Sequence, residues 1–397
     1  MKSILFMYHA SNIGGGTYCL LNILKEIDRS KYRPVVLLRT TGDLVLEIKK
    51  LGIEVYYMNN MTLVPYNQSI FGRNTLRLYA NIQRSMGDFK NFLETLKVDA
   101  VYFNTMMLAP YLKVAKELGL KTFIHLREHW PLDEHVYQLK RIQEIIASYA
   151  DEIIAINSYS ASMIPNRKVT IVYDWINMDE RYENLPFQRI IPDYNDKMRI
   201  YLFTGGIQLI KGTREIINIF SRNLKGVNNR LLMVGVDGMP SKHGAINKLK
   251  FYLSKLGIDS YEYKVWKLIK NDSRIICMPS NYYLKHIMEQ CYCNLSFFKI
   301  PHANLALAES IIVGAIPIAA RTSESLEYSN NGDLAILYDI NSQKDLLDKL
   351  NYLDANYNKI KQHVVLNGYK IKEMFDRKRN SNKLASVYDI LLENSKN

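Results

Sequence analysis

The chain has 397 residues, 48% apolar and 23% charged, with a formal net charge of +13. That length exceeds one ordinary core and fits two domains of common size in a globular protein. The four cysteines lack zinc-type spacing, and no compact Lys/Arg stripe interleaved with aromatics runs through the chain, so a zinc module and a nucleic-acid partner are both disfavoured.

Residues 2–8 form too short an apolar run for a signal peptide and predict a first strand, and with no targeting segment the cytoplasm is the expected compartment. Strands are then predicted at Pro34–Leu38, Glu54–Tyr57, Ala100–Phe103, Thr122–His125, Glu152–Ala155 and Val169–Val172, with a helix at Tyr18–Ile27. Short apolar runs alternating with amphipathic stretches are the pattern of a parallel sheet flanked by helices. Residues 59–77 lack periodicity and read as a mobile loop. Residues 180–196 are polar with two prolines, which places an interdomain linker there. A second alternating unit follows, with strands at Arg199–Thr204, Leu231–Val234, Arg274–Met278, Cys293–Phe298 and Ile316–Ala320, and a basic helical tail from about Asn356. Residues 1–180 carry 21 basic against 18 acidic side chains and residues 181–397 carry 31 against 21. The second half is therefore the one suited to an anionic ligand or to an acidic membrane surface.

Five segments have the composition of a binding site. Gly14-Gly15-Gly16 follows the first strand and opens the first helix, where glycine admits close backbone approach and helix N–H groups favour an anion. Any tight strand-to-helix turn also favours glycine, so this motif alone does not decide. His125 ends a strand and is followed by Arg127 and Glu128, which read as a local ion pair. Thr204-Gly205-Gly206 leads to Lys211-Gly212 at the start of the second unit, and Gly235 to Gly238 forms a turn after its second strand. Finally, Leu305, Ala308, Ile311 and Ile312 recur at helical spacing around Glu309, with Gly314 to end the helix and Pro317 leading a buried strand. A carboxylate on a core-facing helix needs a hydrogen-bonding partner, and a ligand's hydroxyls can be that partner.

This last segment resembles the donor-site signature of retaining GT-B glycosyltransferases, specifically glycosyltransferase family 4 (glycosyl transferases group 1). That family shows E-x7-E, typically E-G-F-G-x-x-x-x-E-A, then a Gly and a Pro-Val strand. Glu309 falls on the second Glu and Asn304 on the second Gly, whereas Pro301 stands where the first Glu belongs. The segment from Gly205 to Gly212 resembles the family's G-R-L-x-x-x-K-G, with Lys211 and Gly212 matched and Gly206 in place of the Arg.

The resemblance implies two Rossmann-like domains facing each other across a cleft, with a C-terminal helix packing back on the N-terminal domain. The implied limits are 1–180 for an acceptor-side domain, 181–196 for the linker, 197–370 for the nucleotide-sugar domain and 371–397 for the returning helix. It also implies that Lys211 and backbone amides at Gly205, Gly206, Gly235, His302, Asn304 and Leu305 hold the donor, and that Glu309 accepts from the ribose hydroxyls. His125 and Gly14–Gly16 would face the acceptor and the donor phosphate. The expected activity is hexosyl transfer from a nucleotide sugar to a glycan or lipid-linked acceptor, with retention, in cell-surface polysaccharide synthesis and with an anionic membrane surface as a further partner. No cofactor is implied and no acidic D-x-D-like cluster calls for a metal. The alternatives are a GT-B binding or scaffold subunit that activates a partner, and a GT-B nucleotide-sugar epimerase or hydrolase.

Overall fold

The computed structural model describes residues 1–12, 14–64, 73–130, 136–177, 186–236, 260–279, 284–298 and 302–393. The chain divides into two compact units, one made of 1–177 and 375–397 and the other of 178–374.

Unit 1 is a seven-stranded parallel sheet: β1 Lys2–Tyr8, β2 Tyr32–Leu38, β3 Glu54–Tyr57, β4 Ala100–Phe103, β5 Lys121–Leu126, β6 Glu152–Ala155 and β7 Thr170–Ile171, in the order β3-β2-β1-β4-β5-β6-β7. Alternate residues of each strand feed opposite faces. Leu5, Met7, Val101 and Phe103 enter one core, while Ile4, Phe6, Tyr102 and Phe123 enter the other. Burial on both faces explains why the strands read as continuous apolar runs rather than as alternation. The helix Arg377–Glu393 completes the second face with Leu384, Val387, Tyr388 and Leu392. The Tyr388 ring meets Tyr102 and Phe123 edge-on, and the neighbouring Asp389 accepts from the Tyr32 hydroxyl at 2.5 Å.

Unit 2 is a six-stranded parallel sheet: β8 Arg199–Phe203, β9 Asn229–Val234, β10 Ile275–Met278, β11 Cys293–Ser296, β12 Pro317–Ala320 and β13 Ile336–Tyr338, in the order β10-β9-β8-β11-β12-β13. In both sheets the order reverses at the first strand, between β1 and β4 and between β8 and β11. Open α/β sheets bind ligands outside the carboxyl ends of the strands at such switch points.

Several expectations shift against this structure. Of the segment expected to link the domains, 180–185 lie outside the described residues, while Phe187–Ile190 is a short helix whose Phe187, with Ile191, is buried against Ile200 and Leu202 of unit 2. Residues 65–72 of the expected loop also lie outside the described residues. The end of that loop belongs instead to the helix Arg73–Thr95, and Val64 donates its backbone N–H to Met107 at 3.1 Å. The strand β13 is new, since three residues carry no readable period. The tail helix begins at Gln343 rather than near 356, capped by the Ser342 hydroxyl, which accepts from Asp345 N–H. Among the described residues no helix is long and apolar enough to cross a membrane.

Candidate functional site

In unit 2 the predicted donor residues converge on the carboxyl ends of β8, β9 and β11. The turn after β8 depends on glycine. Gly206 has φ +58°, and a Cβ there would lie 3.0 Å from the Gly235 carbonyl oxygen. Gly235, at φ +84°, is itself held by its N–H donating to the Met278 carbonyl at 2.9 Å. Gly205 and Gly212 leave no room for side chains because the rings of Phe203 and Phe297 fill that space. Thr213 staples the loop, its hydroxyl donating to the Gly206 or Gln208 carbonyl and accepting from Gln208 N–H at 3.0 Å. The sequence reading missed Thr213. A threonine at the first position of a helix, directly after a Lys-Gly loop, is the signal that would have marked it.

The glycine at 206 is therefore a backbone requirement and not simply a lost cation. Restoring the family's residue with Gly206→Arg is expected to destabilise unit 2 by about 1–2 kcal/mol, because a Cβ is strained in the left-handed region. Urea denaturation checks this, and an unchanged midpoint with tighter anion binding would contradict it.

Lys211 is half-buried and makes no hydrogen bond or ion pair with a described residue. Burial lowers the pKa of its ammonium, and Nζ stands over the Phe298 ring at 5.8 Å from the centroid. The Phe298 ring in turn lies 5.3 Å from that of His302, so this aromatic brings Lys211 and His302, both expected at the donor site, into one cluster. A desolvated lysine without a counter-ion favours an anion, since pairing restores the stability that burial costs its charge.

Asn304 precedes the helix Leu305–Ile312, and its side chain is committed elsewhere: Nδ2 donates to Ser296 Oγ at 2.5 Å. Its expected contribution through the backbone is unaffected by that bond. Ser310 fixes the helix rotation, accepting from Asn294 Nδ2 at 2.6 Å and donating to the Ala306 carbonyl at 2.7 Å. Leu307, Ala308 and Ile311 are buried beside it. Gly314 ends the helix at φ +75° in a Schellman arrangement, with Ala315 N–H donating to Ser310 and Gly314 N–H to Ile311.

With Ser310 pinned, Glu309 projects about 100° away around the helix. It is half-buried and makes no hydrogen bond or ion pair with a described residue. Burial pushes its carboxyl up to about 7, partly offset by the charge of Lys285. Pro301 and Gly238 lie outside the described residues. Among the described residues no group of three or more His, Cys, Asp or Glu is placed to hold a metal.

In unit 1 the glycine turn splits into two kinds of position. A Cβ on Gly16 would collide with the Tyr8 hydroxyl, so the need for glycine there is internal packing. Gly14 and Gly15 face open space, with no atom nearer to such a Cβ than Thr17 Oγ1 at 4.0 Å from that of Gly14. Their smallness is not required by the described residues and leaves room for a ligand. Thr17 Oγ1 accepts from Gly14 N–H at 2.7 Å and holds the turn in shape.

His125 is buried, and burial together with the Arg127 charge holds its pKa well below the ordinary histidine range, so the ring is neutral. Arg127 and Glu128 do not pair with one another as expected. The Arg127 guanidinium binds both oxygens of Asp174 at 2.6 and 2.7 Å. Glu128 accepts from the Thr105 hydroxyl and from Met106 N–H. Neighbours on a strand end diverge, and each charge finds its partner on the loop after a different strand, Arg127 after β7 and Glu128 after β4.

No protein-family model matches this sequence, and no curated protein matches it. Solved structures do. Anabaena HepE, determined in complex with UDP-glucose, superposes with a TM-score of 0.74 at 15% identity, over 98% of this chain and 100% of that one. A glycosyltransferase from Rickettsia africae gives 0.71 at 16% identity over 99% of both chains. Sucrose-phosphate synthase from Thermosynechococcus elongatus gives 0.71 at 11% identity over 100% of both chains.

The fold is GT-B.

Within it, unit 2 corresponds to the half in which Gly205, Gly206, Lys211, Gly235, His302, Asn304, Leu305 and Glu309 are expected, and unit 1 to the half with Gly14–Gly16 and His125. The structure gathers the first group on the carboxyl edge of the six-stranded sheet and the second on that of the seven-stranded one.

Proposed function

We propose that this chain is a nucleotide-sugar-dependent glycosyltransferase whose unit 2 holds the donor. The observation that carries the reading is Glu309: a half-buried carboxylate fixed on a rigid helix with no partner among the described residues. An ionised carboxylate accepts from two neighbouring hydroxyls at once, which is the chemistry a ribose diol presents. Lys211 supplies positive charge for the diphosphate, and the loop from His302 to Leu305 offers backbone N–H groups at a helix start. That several GT-B neighbours are glycosyltransferases, one of them binding UDP-glucose, supports this assignment.

In the same reading, sugar transfer is to a hydroxyl of a glycan or lipid-linked acceptor, with retention of anomeric configuration. Unit 1 contributes His125 and the open side of Gly14–Gly15 toward the acceptor. In this reading Lys211 and the helix N-terminus assist departure of the diphosphate by offsetting its developing charge. The acceptor is expected at the inner face of a membrane in cell-surface polysaccharide synthesis, with the basic second half drawn to anionic lipid. Vesicle binding that needs anionic lipid and fades with salt would support that placement, and salt-indifferent binding to neutral vesicles would sink it.

One observation favours a rival without turnover: Gly206 occupies the position of a donor-binding cation, leaving Lys211 alone. Release of nucleoside diphosphate from a nucleotide sugar separates the readings. We expect release that needs an acceptor, falls at least tenfold in Lys211→Ala and yields a product of unchanged anomeric configuration by NMR. Binding without release would assign the chain to a non-catalytic role, and release without any acceptor would point to hydrolysis.

A further inference from the structure

We propose that Asn294 and Ser296 of β11 are positioning residues: they hydrogen-bond the segment 304–310 at both ends and so fix the direction in which Glu309 points, at a cost in stability. The proposal rests on the glycosyltransferase reading for what Glu309 meets, but not for the state of Glu309 in the free protein.

Residues 294 and 296 are alternate positions of one strand and face the same side of the sheet, toward the helix Leu305–Ile312. Asn294 Nδ2 donates to Ser310 Oγ at 2.6 Å and to the Ala306 carbonyl at 3.2 Å, so one amide grips two successive turns. Ser310 Oγ donates its own proton to the same Ala306 carbonyl at 2.7 Å. Two residues further along the strand, Ser296 Oγ accepts from Asn304 Nδ2 at 2.5 Å, directly before the helix begins. Turning the helix about its axis, or sliding it along the strand, breaks these bonds together. Glu309 lies between the gripped turns and has no partner among the described residues to orient it.

Stability alone does not account for this arrangement. Asn294 and Ser310 are both 0% exposed, beside the buried Leu307, Ala308 and Ile311, and Asn294 Oδ1 has no partner among the described residues. A buried amide oxygen left unpaired costs free energy, and a serine bonded back within a helix is neutral to unfavourable there. Leucine has the branching of asparagine without its polar atoms, so an apolar pair would fill the same space with no group unpaired. Buried polar groups carried at such a cost have their best-attested use in fixing register. The helix-side partners point the same way. Asn304 and Ser310 stand where the E-G-F-G-x-x-x-x-E-A pattern has a glycine and an alanine, neither of which has a hydrogen-bonding side chain. Each departure from the pattern is half of a pair whose other half is on β11.

The test separates orientation from stability in the full chain carrying Asn294→Leu with Ser310→Ala, which removes both buried partners at once. The urea midpoint of unit 2 is expected to be no lower than in the native chain. Affinity for whichever of UDP-glucose, GDP-glucose and ADP-glucose the native chain binds is nonetheless expected to fall about tenfold, as the carboxylate loses its fixed aim. A ligand-free readout comes from 13C NMR of the glutamate side chains, with Glu309 assigned by the signal lost in Glu309→Gln. Its carboxyl is expected to titrate at about 7 in the native chain and toward the ordinary 4.5 in the double variant, because a helix free to turn admits water to it. Lys285, on the neighbouring helix Leu284–Gln290, is the described charge that acts on Glu309 and is present in both proteins. A folded double variant with native affinity and native titration, or a native Glu309 that already titrates near 4.5, would overturn the positioning role. Should the double variant not fold, the claim of a stability cost falls, and Ser310→Ala alone decides the positioning role by the same two readouts. Failure of every nucleotide sugar to bind the native chain would count against the glycosyltransferase reading, while the titration of Glu309 would still decide the role of Asn294.

Discussion

Replacing Glu309 by alanine is expected to weaken nucleotide-sugar binding by a hundredfold or more. A hydrogen bond to a charged acceptor contributes about 1.5–3 kcal/mol, and two ribose hydroxyls on one carboxylate together exceed the roughly 2.7 kcal/mol that a hundredfold requires. The same carboxylate carries a pH signature. Its pKa of about 7 in the folded protein lies above that of an exposed glutamate, because burial disfavours the charge. Only the ionised form accepts from both hydroxyls, so affinity is expected to rise from pH 6 to 8 and then level off. Stability runs the other way. The raised pKa costs the folded state nothing below the unfolded value near 4.5 and its full amount above about 7. Glu309→Gln is therefore expected to bind poorly yet be more stable at pH 8, by about 1–2 kcal/mol once solvent screening of a half-buried group is allowed for. Calorimetric titration at three pH values, with urea denaturation of both forms, checks both signs. A pH-independent affinity would remove the carboxylate from the ribose site.

Removing Asp174 is expected to have the largest effect on stability. Arg127 is buried and stays charged, its pKa raised by the Asp174 carboxylate, so Asp174→Ala strands a cation beneath the sheet edge. Breaking a buried pair on one side costs about 3–5 kcal/mol. The two units need not unfold together, so the transition of unit 1 should be followed separately. Trp130 and Trp175 report it in a Trp266→Phe background, since Trp266 lies in unit 2. A change under about 1 kcal/mol would mean that the pair is solvated and contributes little.

The contrast between these residues shows what a sequence carries. Glu309 is legible because its helix is local: apolar spacing, a terminating glycine with positive φ and a Pro-led strand sit within twenty residues. The strands are legible wherever burial on both faces makes an unbroken apolar run, as in Ile4–Met7, and β13 is not because three residues have no period. Arg127 was misread because adjacency in sequence stood in for adjacency in space, while its partner Asp174 lies 47 residues away on the far side of β7. Gly16 carried an ambiguous signal for a related reason. A glycine that makes room for Tyr8 and a glycine that makes room for a ligand look the same until the neighbouring strand is in place.

The most direct test of the central claim is calorimetric binding of UDP, GDP and ADP, with their glucose conjugates, to the native chain and to Lys211→Ala and Glu309→Ala. The account predicts that the native protein binds one nucleotide class and that both variants, folded by circular dichroism, lose it. A folded native chain that binds none of these nucleotides, or variants that bind as tightly as the native chain, would contradict it.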